Sequence, residues 1–265
     1  MPTSLKLWEN GTPCYDPAAG QPETVITPYL VDGPCDKGFV IVCPGGGYFG
    51  RSYHEGEPIA EMFNDAGISA AVLDYRVRPY HYPAMLLDAN RAVRFARFHA
   101  SDWQIDPHKI AILGFSAGGH LAVSACEHYD NGKADGDKID KVSSRPDAGL
   151  FCYPVVTLRG DFTHTGTRDN FLGDLVDNEE MLHAFSGEEA VPDDAPPAFL
   201  WHTAEDAGVP FENSLHLAEA WHKKGATVEM HIYPHGRHGL GLAPEVPSAA
   251  RWAKEAVYFL KELGF

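Results

Sequence analysis

The strongest chemical signal in the chain is GFSAG at residues 114–118, which follows an apolar run and precedes a helical segment. A serine hydroxyl that stands above a sheet needs a sharp turn between strand and helix, and glycines on both sides leave room for that turn. The helix that follows also places backbone N–H groups where negative charge develops during acyl transfer. In isolation the pattern fits a plain glycine-rich turn, but between a strand and a helix it predicts Ser116 as a nucleophile.

A second glycine-rich segment, CPGGGY at residues 43–48, follows an earlier apolar run at 39–43. Three successive glycines let backbone N–H groups converge on one point, as the oxyanion of an acyl-transfer reaction requires. The segment has neither the Gly-Lys-Ser/Thr of a P-loop nor the spacing of a dinucleotide-binding fingerprint. Alone it could be a turn without function, but beside Ser116 it favours an oxyanion hole.

A serine hydroxyl is a weak nucleophile without an adjacent base, so a histidine oriented by a carboxylate is expected later in the chain. Of the fourteen histidines, two lie in HGRHG at 235–239, directly after an apolar strand pattern. We favour His238, which is followed by Gly239. His235 remains the alternative.

The carboxylate is expected after the preceding strand pattern, residues 198–201. Glu205 and Asp206 lie adjacent to each other there. Asp206 is favoured because it lies closer to the start of the next predicted helix, and Glu205 is the alternative. Asp174 and Asp177 could serve in principle, but they do not follow a predicted sheet strand.

The elements that must position these residues alternate between short apolar strands and helices. Strands are predicted at residues 39–43, 68–73, 110–113, 148–153, 198–201 and 227–233. Helices are predicted at residues 57–66, 85–100, 117–129, 210–224 and 246–263. This alternation predicts an α/β fold with a mainly parallel sheet and helices on both faces. Ligands bind such sheets beyond the C-terminal ends of the strands, where the candidate residues lie.

Two segments fall outside the alternation. Residues 1–37 are rich in Pro, Gly and Thr and are expected to form turns and short edge strands. Residues 155–195 are acidic and irregular, with one or two short helices expected around 178–186. Because no repeat or long linker is visible, we expect a single domain over residues 1–265, with 155–195 as a short lid-like insertion.

Composition and charge exclude several classes of protein. Lys and Arg total 21 against 37 Asp and Glu, and the formal charge of −16 argues against binding to nucleic acid or to anionic membranes. No apolar run approaches the roughly 18 residues of a spanning helix, and the first residues do not resemble a secretory signal, so a cytoplasmic protein is expected. The five cysteines, without CxxC spacing, are then expected to be reduced thiols: Cys14, Cys35, Cys43, Cys126 and Cys152.

Together the motifs resemble the α/β-hydrolase superfamily, and within it the small bacterial acetylesterase and carbohydrate-esterase-like (acetylxylan-esterase-like) serine hydrolases related to the hormone-sensitive lipase group. The resemblance extends from about Gly38 to Leu263. It rests on CPGGGY at 43–48, LDYR at 73–76, GFSAG at 114–118, HTAEDAGVP at 202–210 and HGRHGLGLA at 235–243. Two positions depart from the lipase-group pattern: Pro44 stands in place of His, and Phe115 in place of Asp. Both departures point away from lipid esters.

The resemblance implies an α/β-hydrolase fold and a catalytic triad of Ser116 as nucleophile, Asp206 as acid and His238 as base. It also implies oxyanion donors from the backbone of Gly46, Gly47 and Ala117. The implied activity is that of a carboxylesterase that hydrolyses short acyl esters, above all acetyl esters on sugars or oligosaccharides, through an acyl-enzyme. This chemistry requires neither a metal nor an organic cofactor.

Side chains after the glycine-rich segment are expected to line the entrance to the site. Sugar hydroxyls could be bound by Tyr48, Tyr53, His54 or Glu57, although the same segment also fits a plain entry into a helix. In the insertion, the acyl or alcohol pocket is expected to be shaped by Phe162, Phe171 and Phe185.

Two other functions stay open from the sequence. The same triad could hydrolyse amides, as a peptidase, an amidase or a formamidase-like enzyme does. A protein of this fold could also bind a ligand without catalysis, although the presence of every site component argues against that. The expected partner is a small-molecule ester, with no nucleic acid and no membrane, and the sequence leaves the oligomeric state open.

Overall fold

The computed structural model describes residues 2–33 and 37–265. Its strands are β1 (Leu5–Lys6), β2 (Val25–Tyr29), β3 (Lys37–Cys43), β4 (Ser69–Asp74), β5 (Ile105–Phe115), β6 (Ala148–Cys152), β7 (Ala198–Thr203) and β8 (Val228–Tyr233). Within the described residues they form one sheet of eight strands in the spatial order β1-β2-β4-β3-β5-β6-β7-β8. The β1–β2 and β2–β4 pairs are antiparallel, and the other neighbours are parallel. The predicted α/β architecture with a mainly parallel sheet is confirmed, and the two strands within residues 1–33 add an antiparallel edge to it.

The helices connect the strands and cover the sheet. They are α1 (Glu57–Asp65), α2 (Ala84–Phe98), α3 (Ala117–Glu127), α4 (Thr165–Leu172), α5 (Glu179–Ala184), α6 (Gly187–Ala190), α7 (Glu212–Lys223) and α8 (Trp252–Glu262). Short 3-10 segments cover Pro17–Ala19, Tyr53–Glu55, Gly173–Leu175 and Ala249–Arg251. In the part of the chain that the structure describes, no helix has the length and apolar character needed to cross a membrane.

Side chains of the central strands point alternately towards two layers of helices. In β3, Phe39 and Ile41 belong to one buried cluster, which contains residues of α2, α3 and α7. Val40 and Val42 belong to the other, which contains residues of α1 and α8. The strand is therefore covered on both faces, as its continuous apolar run predicts.

The segment 155–195 is more helical than expected. Three short helices, α4 to α6, lie in it, where one or two were expected around 178–186. The sequence of α4 has no periodic apolar pattern, and the helix is stabilised at its start by the side chain of His164, which accepts the N–H of Thr167 at 3.1 Å. The two residues at its end, Phe171 and Leu172, are buried.

Other predicted boundaries differ by a few residues. The strand predicted at 110–113 extends from Ile105 to Phe115, because β5 pairs with a neighbour on each side. The last helix begins only at Trp252, after turns and a 3-10 segment that include Pro247. Within the described residues the cysteines are free thiols, as expected: Cys14, Cys43, Cys126 and Cys152. Cys35 lies outside the described residues.

Candidate active site

Four loops leave the C-terminal ends of parallel strands at one edge of the sheet. The glycine loop, residues 44–50, follows β3, and Ser116 follows β5. Asp206 follows β7, and His238 follows β8. Because β3, β5, β6, β7 and β8 are parallel neighbours, their ends bring these loops to the same side.

The turn at Ser116 needs glycines and holds the serine in a strained conformation. Ser116 has φ 53° and ψ −118°, a region that residues with a side chain rarely occupy. A Cβ atom on Gly114 would lie 1.9 Å from the carbonyl oxygen of Gly118, and one on Gly118 would lie 2.2 Å from that of Cys43. The strain persists because the surrounding backbone fixes it: the N–H of Ser116 donates to the carbonyl of Cys152 at 3.0 Å.

Ser116, His238 and Asp206 form a continuous row of hydrogen bonds. His238 Nε2 lies 2.7 Å from Ser116 Oγ, and His238 Nδ1 lies 2.7 Å from Asp206 Oδ2. Ser116 is 8% exposed and Asp206 6% exposed, so the row is largely shielded and opens to solvent near His238. This geometry allows the imidazole to accept the serine proton while the carboxylate holds its other nitrogen.

Asp206 is held in its ionised form by several donors. Burial favours the neutral acid, but hydrogen bonds from His202 and His238 outweigh it and hold the pKa of Asp206 well below its usual range. The N–H groups of Gly208 and Val209 also donate to Oδ1, each at 2.9 Å. A carboxylate ionised at neutral pH stabilises a positive charge that appears on His238.

The glycine loop offers backbone donors beside Ser116. Gly46 and Gly47 have φ values of 132° and 63°, which favour glycine. A Cβ atom on Gly46 would lie 2.3 Å from the carbonyl oxygen of Gly50. Among residues 2–33 and 37–265, no acceptor binds the N–H groups of Gly46, Gly47 and Ala117. These three N–H groups are available for an oxyanion.

The alternative site residues lie elsewhere. His235 Nδ1 contacts Glu205 Oε1 at 2.8 Å, and the two side chains are 71% and 60% exposed. His235 and Glu205 thus pair with each other at the surface, whereas His238 contacts both Asp206 and Ser116. Among these carboxylates, Asp206 contacts His238. Asp174 lies in the 3-10 segment that follows α4, and Asp177 lies two residues after that segment.

The structure contradicts the sugar-binding role expected for Tyr48. Its side chain is completely buried, and its hydroxyl lies 2.9 Å from Nδ1 of His120. Tyr53, by contrast, is 90% exposed. His54 is exposed as well, and its Nε2 lies 3.1 Å from the carbonyl oxygen of Gly239, next to His238.

Two of the three phenylalanines expected in the acyl or alcohol pocket are core residues. Phe171 and Phe185 are 0% and 4% exposed, and their rings pack against each other at a centroid distance of 5.1 Å. Phe171 also stacks on Tyr48, so these rings support the glycine loop from the interior. The expectation is wrong for both residues. Their rings are shielded from water in the core, which is more favourable for an apolar side chain than the wall of an open pocket. Phe162 is half-buried and packs on the ring of His216.

Sequence reasoning missed two polar residues of the insertion. Asn170 donates to the carbonyl of Gly47 at 2.9 Å and so connects α4 to the glycine loop. Nδ1 of His164 accepts the Thr167 N–H, which leaves the proton of the neutral ring on Nε2. Burial lowers the pKa of His164, and the charge of His238 lowers it further. No local pattern marks either residue, since only the folded insertion brings them near the site.

One group among the described residues could hold a metal ion. Ligand atoms of Glu229, His231 and Glu255 all lie within 4.8 Å of one another, on β8 and α8. His231 Nε2 lies 2.7 Å from Glu229 Oε1, which satisfies part of this group without an ion. None of the three belongs to the Ser116–His238–Asp206 row.

Comparison with known proteins gives the same fold and related chemistry. A family model described as BD-FAE matches residues 34–221. The chain is similar to endo-1,4-beta-xylanase B of Butyrivibrio fibrisolvens, with 37% identity over 89% of this chain and 38% of that protein. It is also similar to an acetylxylan esterase of Xylanibacter ruminicola, with 29% identity over 89% of this chain and 46% of that protein. The chain thus spans less than half the length of both relatives.

Among solved structures, an acetyl ester-xyloside bifunctional hydrolase from Caldicellulosiruptor lactoaceticus is similar over nearly its whole length. The TM-score is 0.95 and the identity 43%, covering 99% of this chain and 97% of the other. The α/β-hydrolase fold expected from the motifs is confirmed. So is the resemblance to carbohydrate-esterase-like hydrolases.

Proposed function

Because this chain belongs to the BD-FAE family, we propose that it is a serine carboxylesterase that removes short acyl groups, above all acetyl groups, from sugars or oligosaccharides. The observation that carries this proposal is the row of two 2.7 Å hydrogen bonds joining Ser116, His238 and Asp206. The names of the two relatives, a xylanase and an acetylxylan esterase, support a carbohydrate ester as the substrate.

In the first half of the reaction, Ser116 Oγ attacks the ester carbonyl carbon while its proton moves to His238 Nε2. The carbonyl oxygen becomes an oxyanion and accepts hydrogen bonds from the N–H groups of Gly46, Gly47 and Ala117. Asp206 keeps His238 in the tautomer with the proton on Nδ1 and stabilises the imidazolium. The bond to the alcohol then breaks, the alcohol oxygen takes the proton from Nε2, and the acyl group stays on Ser116.

In the second half, water replaces the alcohol. His238 Nε2 takes a proton from the water as its oxygen attacks the acyl carbon, and the same N–H groups bind the second oxyanion. Collapse of this intermediate releases the carboxylic acid and returns the proton to Ser116 Oγ. Every proton is passed between Ser116, His238, the alcohol and water, so the cycle is complete with these groups.

Exposed side chains at the rim of the site favour an ester substrate whose alcohol part is a polar ring. Phe49, within the glycine loop, is 71% exposed, and Tyr53, which follows the loop, is 90% exposed. We assign Tyr53 and His54 to contacts with the sugar: Tyr53 offers an apolar ring face and a hydroxyl, and His54 an imidazole. The insertion contains only short helices, and two of its three phenylalanines, Phe171 and Phe185, lie in the core and so do not line an acyl pocket. We therefore expect little room for a long acyl chain.

Hydrolysis of p-nitrophenyl esters from acetate to octanoate tests the proposal, together with acetate release from acetylated xylo-oligosaccharides. We expect the highest kcat/KM for acetate and a decline by butyrate. Ser116→Ala should lose on the order of 10⁶-fold in turnover. Ser124→Ala removes a buried serine from the same helix and should keep wild-type activity. Absence of Ser116-dependent cleavage at every chain length would contradict the proposal.

A further inference from the structure

A buried carboxylate lies beneath the glycine loop and has no part in the mechanism described above. Glu55 ends the 3-10 segment Tyr53–Glu55 and is 1% exposed. Its Oε2 accepts the N–H of Gly45 at 2.8 Å, and its Oε1 accepts the hydroxyl of Tyr153 at 2.5 Å. A buried carboxylate is costly unless hydrogen bonds replace its hydration, so two well-made bonds indicate a fixed position.

Tyr153 carries the connection onward to the loop that contains His238. Its hydroxyl donates to Glu55 and accepts the N–H of Gly241 at 2.8 Å. Its ring lies edge-on against the ring of His238, with centroids 5.1 Å apart. Burial and the charge of Glu55 raise the pKa of Tyr153 well above its usual value, so the hydroxyl keeps the proton that it donates.

The backbone around this connection leaves little freedom. A Cβ atom on Gly45 would lie 2.7 Å from Glu55 Oε2 and 2.8 Å from the carbonyl oxygen of Phe115. Tyr153 itself has φ 36°, and its N–H donates to the carbonyl of Trp201 at 2.7 Å. The backbone of Tyr153 is thus fixed by Trp201, and Gly45 packs closely on Glu55. The side chains of Glu55 and Tyr153 in turn bind the N–H groups of Gly45 and Gly241.

We propose that Glu55 and Tyr153 are positioning residues that fix the oxyanion loop and the His238 loop relative to each other. Gly45 directly precedes Gly46 and Gly47, and Gly241 follows His238 after two residues. The pair touches no substrate and acts through the N–H groups of the glycine loop and the imidazole of His238. This inference rests on the proposed function, because it concerns the same acyl-transfer site.

Tyr153→Phe and Glu55→Gln test the pair. Gln keeps one acceptor oxygen and so cannot accept both hydrogen bonds, and Phe removes the hydroxyl but keeps the ring. A small misplacement of catalytic groups lowers turnover, so we expect kcat for p-nitrophenyl acetate to fall roughly 10- to 100-fold while KM changes less than about threefold. The double variant should lose no more than the larger single loss, because both residues belong to one connection.

Tyr80→Phe is the matched control. The Tyr80 hydroxyl is also largely buried and also both donates and accepts, but its partner is the backbone of Asp16, each contact being 3.0 Å. It should lose a comparable amount of thermal stability and keep wild-type kcat. Thermal unfolding of all variants, measured in parallel, separates a loss of stability from a loss of turnover.

The outcomes separate this inference from the proposed function. If the wild type hydrolyses no ester, or Ser116→Ala remains active, the proposed function fails. If the wild type is active through Ser116 but both Tyr153→Phe and Glu55→Gln keep its kcat, only the positioning role fails. A rise in KM with unchanged kcat would also overturn it, since that result indicates substrate contact. If Tyr153→Phe does not fold, Glu55→Gln alone decides.

Discussion

The carboxylate of Asp206 receives more hydrogen bonds than it needs to hold one imidazole. Two backbone N–H groups bind its Oδ1, and His238 and His202 approach its Oδ2 at 2.7 and 3.3 Å. Each donor lowers its pKa and orients it, so its charge and direction are set before a substrate arrives. Replacement by an isosteric amide tests this, because shape is kept while charge and acceptor pattern change.

Asp206→Asn should reduce kcat by roughly 10⁴-fold, since the amide favours the wrong tautomer of His238. Glu205→Gln is the neighbouring control, because Glu205 contacts His235 and the N–H of Gly236 at the surface, and it should keep wild-type kcat. Steady-state kinetics with p-nitrophenyl acetate measures both. Equal activity of Asp206→Asn and wild type would remove Asp206 from the proposed mechanism.

At the scale of elements, α3 connects the nucleophile to the rest of the site. Ser116 precedes the helix, and His120 lies one turn later, completely shielded between the Tyr48 hydroxyl and the carbonyl of Phe185. Burial lowers the pKa of His120 from about 6.5 to about 4. His120 is thus neutral in the folded protein over a pH range in which the unfolded chain binds a proton.

The free energy of unfolding should therefore fall as pH drops from about 6.5 to about 4, by up to about 3 kcal/mol from this group. The sign follows because the unfolded chain binds more protons in this range. His120→Gln should flatten that part of the profile, whereas His222→Gln, on the exposed side of α7, should keep it. Denaturant unfolding at several pH values measures the slopes. Identical slopes in wild type and His120→Gln would contradict this account.

Local sequence patterns predict which loops carry the candidate site. Ser116, Asp206 and His238 each follow an apolar strand pattern, the glycines of the elbow are a local signal, and the structure joins the three side chains by hydrogen bonds. The burial of Tyr48 does not follow from its sequence neighbours, because it depends on Phe171, which comes from a distant helix without a periodic pattern.

Glu55 and Tyr153 could not be predicted for a related reason. Their link joins residues 98 positions apart, and neither residue lies in a recognisable motif. Local patterns thus indicate which loops carry chemistry, whereas the contacts that hold those loops depend on tertiary packing.

At the scale of the whole molecule, a buried ion pair ties the N-terminal segment to the sheet. Arg76 and Asp88 are 3% and 0% exposed, and Arg76 Nη2 lies 2.8 Å from Asp88 Oδ1. The indole N–H of Trp8 also donates to Asp88, at 2.9 Å, and Arg76 donates to the carbonyl of Pro13. One carboxylate thus connects α2, the end of β4 and the first residues of the described chain.

Asp88→Asn leaves the Arg76 charge buried without its counter-ion and should lower the free energy of unfolding by about 3 to 5 kcal/mol. Glu219→Gln breaks an exposed pair with Lys223 in α7 and should leave the free energy of unfolding almost unchanged, because solvent screens the pair. Chemical denaturation measures both. A loss for Asp88→Asn as small as for Glu219→Gln would show that this pair does not fasten the N-terminal segment.

The central claim is that an acyl group is transferred to Ser116. The most direct measurement is mass spectrometry of the protein after rapid acid quenching of its reaction with p-nitrophenyl acetate, followed by peptide mapping. We predict one acetyl group on the peptide that contains Ser116, increased in Asp206→Asn if deacylation slows more than acylation, and absent in Ser116→Ala. Turnover with no acetyl group on Ser116, or with the label on another residue of the site, would contradict the proposed mechanism.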